Sequence, residues 1–151
     1  MLDWRNALRY GQLVQAAYDM PEDGRPDAAI FSRVQNLGYQ YFLPIFGFDL
    51  ATDRNPRGGR RVSFGFVALS PAGELVLAIR GTESVFDWIH DVDFFTNPCP
   101  IPGGEGDTED GFTDLFQSLH IRDMAPADYT RGMFATEAIN SLVVAGHSLG
   151  A

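Results

Sequence analysis

The chain has no lysine: all 11 of its cationic side chains are arginine. This reads as a compositional bias, with no mechanism attached to it. Against 20 aspartates and glutamates, those arginines leave a net charge of −9. Such a charge opposes binding to nucleic acid and to anionic membrane surfaces. A single cysteine, Cys99, excludes an internal disulfide and supplies no cluster of metal ligands, so neither a metal nor a cofactor is expected. No apolar run is long enough to span a bilayer. The opening MLDWRNALRYG carries Asp3, Arg5 and Arg9 where a secretion signal needs an unbroken apolar core. The corresponding expectation is a cytoplasmic location. Internal repeats and low-complexity tracts are also missing.

What remains is globular. Of the 151 residues, 45% are hydrophobic and 21% charged, which is the size and balance of one domain with a real core. Residues 2–19 place Tyr10, Leu13, Val14 and Ala17 at helical spacing, and Pro21, Gly24 and Pro26 end that helix. A second helical pattern over 27–37 closes at Gly38. Residues 39–50 are aromatic and β-rich, with Pro44 marking an edge or bent strand. The stretch 55–61, with Arg57, Arg60 and Arg61, reads as a solvated loop in preference to a phosphate cradle. Residues 62–69 and 74–80 form a hairpin about Ser70-Pro71-Ala72-Gly73, with Ser, Pro and Gly where a type I turn wants them.

Further on, Val85, Trp88, Ile89 and Val92 share one helical face while Asp87 and Asp91 lie on another. Periodicity leaves two readings open: an ordinary surface helix, or a short amphipathic lid over an acyl-binding groove. Residues 97–110 read as loop, and their acids do not fit a calcium-loop spacing. Residues 111–121 are helical in pattern, with Phe112, Leu115, Phe116 and Leu119 on one side and His120 at the surface. A last helix over 127–139 leads into Leu142-Val143-Val144-Ala145, the kind of run a buried parallel strand shows.

That strand turns through Gly146-His147-Ser148-Leu149-Gly150, a G-x-S-x-G pattern. A serine on a very tight strand-to-helix turn needs small residues two before and two after, so that strand and helix can approach. The turn exposes the Ser148 hydroxyl to a base and aims the next amides at any negative charge forming on an attacked carbonyl. A glycine-rich turn after a core strand would carry the same spelling.

Three segments together resemble the class 3 lipase family of α/β-hydrolases: VLAIRGTESVFDWIHDVDF (76–94), DGFTDLFQSL (110–119) and LVVAGHSLGA (142–151). The opening WRNALRYGQLVQAAYD is also similar to the N-terminal helix of the family's phospholipase A1-like and bacterial branches. The resemblance implies the N-terminal portion of an α/β-hydrolase: a mixed, mostly parallel sheet flanked by helices, truncated after the nucleophile strand. It implies Ser148 as nucleophile, the amides of Thr82 and Leu149 as the oxyanion hole, and Val85, Trp88, Ile89 and Val92 as the lid. It departs from the family at Thr108-Glu109-Asp110, where a histidine often precedes the Gly-Phe pair.

The implied activity is carboxylic ester hydrolysis on acyl lipids, with transient contact to a lipid interface and no cofactor. A catalytically dead binding module of the same fold is the alternative. In this fold the acid and histidine follow the serine. Only Leu149, Gly150 and Ala151 follow it here, so the chain by itself is expected to show no steady-state esterase turnover. Its strand at 142–147 is expected to be a poorly protected apolar edge.

Overall fold

The computed structural model describes residues 3–49, 60–81, 96–101 and 103–150. Their elements run α1 (Trp4–Tyr18), α2 (Ala28–Asn36), β1 (Gln40–Asp49), β2 (Arg60–Leu69), β3 (Glu74–Ile79), β4 (Thr96–Pro98), β5 (Asp107–Glu109), α3 (Asp110–Ser118), α4 (Pro126–Thr136), β6 (Ser141–Gly146) and a 3-10 turn (Ser148–Gly150). Local chemistry accounts for the helix starts. Asp3 caps α1 by accepting from the amide of Arg5 at 3.0 Å, and Asp27 caps α2 by accepting from that of Ile30 at 2.8 Å. Pro126 opens α4, where its missing N–H costs nothing.

The main sheet has the order β1-β2-β3-β6. β1 pairs antiparallel with β2, and β2 antiparallel with β3; β3 and β6 are parallel. The described strands are therefore mostly antiparallel, which corrects the expectation of a mostly parallel sheet. The reason is connection length. Residues 70–73 form a turn in which the Gly73 amide donates to Ser70 O at 3.0 Å, and so short a link can join only antiparallel neighbours. The parallel pair is joined by the long excursion that carries α3 and α4.

Side chains alternate between two cores. On one face α1 and α2 bring Leu13, Ala17, Ile30 and Val34 against Phe66, Ala68, Val76 and Ala78. On the other, Tyr129 and Met133 of α4 and Ile121 meet Ile45, Val67, Leu75, Leu77 and Ile79. With both faces covered, β2 and β3 are buried almost without interruption, as their apolar runs require. β6 differs. It is the end strand of the described sheet, with Leu142 41% and Val144 60% exposed, in keeping with the apolar edge expected at 142–147.

Three further expectations are corrected. Arg60 and Arg61 belong to β2, not to a loop: Arg60 pairs with Glu22, and Arg61 stacks 3.8 Å from the Phe46 ring centroid. Residues 97–110 are not all loop, because β4 and β5 pair antiparallel within them. His120 lies beyond the end of α3. Its amide donates to Phe46 O at 2.8 Å and its carbonyl accepts from Phe46 N at 2.9 Å, so the chain leaves the helix to extend the β1 edge.

Candidate active site

Parallel strands deliver their following loops to the same edge of a sheet. β3 and β6 run in register from Glu74 opposite Ser141 to Ile79 opposite Gly146. Arg80-Gly81 therefore leaves the sheet beside His147-Ser148. Ser148 has φ of +56°, left-handed backbone that a side chain rarely adopts. Its hydroxyl thus stands on a strained corner between β6 and the 3-10 turn, which the Gly150 amide closes by donating to His147 O at 3.0 Å. Such strain costs about 1–3 kcal/mol and persists only where surrounding contacts hold it.

Two glycines make the corner possible. A Cβ on Gly150 would lie 2.7 Å from Ile79 O and 2.8 Å from Arg80 O, so any larger residue would push the turn off β3. A Cβ on Gly81 would lie 2.9 Å from Ser148 Cβ and 3.0 Å from His147 O. Residue 81 thus packs directly on the serine.

Other residues hold the loop after β3. Arg80 is buried; its Nε donates to Ser63 O at 3.0 Å and its guanidinium to Gly81 O at 3.2 Å. The guanidinium also lies 5.3 Å from the Phe64 ring centroid. From the opposite side, Tyr18 at the end of α1 accepts a hydrogen bond from the Gly81 amide at 3.0 Å. The same hydroxyl is 2.8 Å from Nδ1 of His147. Neither Tyr18 nor Arg80 stood out as functional in the sequence.

Of the residues named from sequence, Ser148 sits on the corner, and the backbone of Leu149 lies in the 3-10 turn. Thr82, Val85, Trp88, Ile89 and Val92 lie outside the described residues, as does His90. The remaining histidines have other partners. His120 donates from Nδ1 to Ser118 O at 2.8 Å and accepts from Arg61 Nε at 3.1 Å, while Nδ1 of His147 faces Tyr18.

Below the corner runs a groove of about 400 Å³ between the sheet and α3 and α4. Phe64, Leu77, Ile79, Phe112, Phe116 and Val144 line it, with Gly150 at its border and Arg80 and Thr130 among its polar members. Among the described residues no helix is long and apolar enough to cross a membrane.

No curated protein matches the chain. A family model described as lipase (class 3) matches residues 76–151, half of the chain, from within β3 through the strained serine. The chain therefore belongs to the class 3 lipase family of lipase-like hydrolases, whose fold is that of the α/β-hydrolases.

Proposed function

We propose that this chain carries the nucleophile and the oxyanion donors of a serine carboxylic ester hydrolase acting on acyl lipids. The observation that carries this is the left-handed Ser148, exposed where the parallel strands β3 and β6 end and packed against Gly81. Ser148 Oγ attacks the ester carbonyl carbon; a C–O bond forms, the carbonyl electron pair moves to oxygen, and the serine proton passes to a base. The amides of Thr82, next to Gly81, and of Leu149, next to Ser148, hold the resulting negative charge. Collapse expels the alcohol and leaves the acyl group on Ser148, and water then repeats the sequence to release the acid. Val85, Trp88, Ile89 and Val92 form the lid, whose apolar face meets lipid. The apolar groove beneath the corner and the likeness of α1 to the phospholipase A1-like and bacterial branches both favour an acyl-lipid substrate over a small polar ester.

The test is a single-turnover one. Where part of a catalytic triad is lost, oxyanion donors and binding alone still leave roughly 10³–10⁴-fold acceleration over water. A p-nitrophenyl alkylphosphonate should therefore phosphonylate Ser148: a P–O bond to serine forms, the bond to the aryl oxygen breaks, and p-nitrophenolate leaves. Peptide mapping is expected to place the adduct on Ser148, and Ser148→Ala is expected to abolish it. An unlabelled Ser148, with other serines labelled equally or better, would overturn the proposal and favour a binding module of the same fold.

A further inference from the structure

The Tyr18 hydroxyl joins three elements: the end of α1, the loop after β3 and the turn after β6. Its chemistry is constrained from both sides. The Gly81 N–H can only donate, so at 3.0 Å the phenol oxygen must accept. Nδ1 of His147 lies 2.8 Å from the same oxygen, within reach of the phenol proton. When the phenol donates to it, that nitrogen carries no proton of its own and neutral His147 holds its hydrogen on Nε2. The rings meet edge to face, with centroids 5.8 Å apart and planes at 64°. The contact is close: a Cβ added at residue 81 would lie 2.9 Å from this same hydroxyl.

We propose that Tyr18 is a positioning residue: by accepting from Gly81 and donating to His147, it clamps the loop after β3 to the serine turn and fixes the Nε2–H form of His147. Its consequence for catalysis rests on the hydrolase reading above. Oxyanion donors act only when held within about 0.5 Å of their working place. The Gly81 amide is one peptide before that of Thr82, so anchoring the first restrains the second. His147 is in this scheme a strut in contact with Tyr18, not the base that activates the serine.

The experiment uses the full chain, labelled with nitrogen-15, as wild type and as Tyr18→Phe. In the wild type, long-range proton–nitrogen correlation is expected to show His147 with an unprotonated, hydrogen-bonded Nδ1 and a proton on Nε2. In Tyr18→Phe the imidazole should relax to a mixture of tautomers. Exchange of the Gly81 amide with solvent should rise by about three- to tenfold, the loss of one ordinary hydrogen bond. A wild-type His147 protonated on Nδ1, or Gly81 exchange unchanged in the variant, would overturn the clamp. Should the variant fail to fold, the wild-type spectrum decides alone. Ser148 phosphonylation is followed in the same samples and should slow in the variant. No labelling in either chain defeats the hydrolase reading while the spectra still judge the clamp; equal rates in both chains, with altered spectra, refute the positioning role.

Discussion

Gly81 and Ser148 touch through the place where a methyl group would stand: a Cβ on residue 81 would lie 2.9 Å from that of Ser148. The same atom would lie 3.0 Å from His147 O, which is backbone and cannot swing aside. Gly81→Ala should therefore move the loop or the corner, at a cost of about 1–3 kcal/mol by the usual scale of overpacking. The unfolding midpoint in urea should drop, and phosphonylation of Ser148 should slow more than its stability loss explains. An alanine variant as stable and as reactive as the parent would show that the two segments are not held in contact.

The strain at Ser148 makes the opposite prediction for stability. Its φ of +56° suits glycine and penalises every residue with a Cβ. Ser148→Gly should be more stable than Ser148→Ala by about 1 kcal/mol. Both variants lose the hydroxyl, so both should be inert to the phosphonate. The pair separates strain from chemistry, and equal urea midpoints would mean that the corner stores none.

Some of this was legible in the sequence because the physics is local. The period of Leu13, Val14 and Ala17 marks α1, and a serine between two glycines after a β-branched run marks the corner at 148. Direction in the sheet is legible only where a link is short. A strand buried on both faces reads the same whether its neighbour is parallel or antiparallel, so the apolar runs of β2 and β3 leave direction open, and it is the turn residues at 70–73 that mark the pair as an antiparallel hairpin. Likewise, the apolar run 142–145 marks a strand but not which of its side chains, here Leu142 and Val144, stand exposed. Exposure depends on what lies alongside, which no single segment encodes. Tyr18 falls within an amphipathic helix, and nothing nearby in the sequence singles it out, because its partner His147 lies 129 positions away. The helical pattern puts His120 on a helix surface for the same reason: its partners Phe46 and Arg61 are distant in sequence.

The apolar groove predicts self-association. Phe112, Phe116, Leu142 and Val144 are 41–60% exposed and all line one groove, making a contiguous apolar surface beside the edge of β6. Patches of this kind drive association, and unpaired strand edges template it. The net charge of −9 opposes it by repulsion, so added salt, which screens that repulsion, should worsen it. Sizing chromatography of the chain should show large species that increase with salt. Val144→Thr keeps a β-branched residue on the strand and should shift material toward monomer. A wild-type chain eluting as a monodisperse monomer at high salt would contradict this.

The tyrosines predict a loss of stability in alkali. Burial raises the phenols of Tyr39 and Tyr41 above their ordinary range. The charge of Glu74, to which Tyr39 also donates a hydrogen bond, adds to the effect at Tyr39, and that of Asp23 adds to it at Tyr41. In the unfolded chain these groups ionise near pH ~10, whereas in the folded chain they keep their protons to higher pH. Above about pH 10 the folded state thus binds more protons than the unfolded one, and stability must fall as pH rises. Each phenol still protonated in the fold contributes a slope of up to roughly 1.4 kcal/mol per pH unit. Urea midpoints measured between about pH 9 and 11 should decline. Tyrosinate absorbance of the native chain should lag behind that of the unfolded chain over the same range. Tyr39→Phe loses the bond to Glu74 and should be less stable at neutral pH, yet its stability should fall less steeply in alkali. A variant that parallels the parent at every pH would show that the Tyr39 phenol ionises alike in both states.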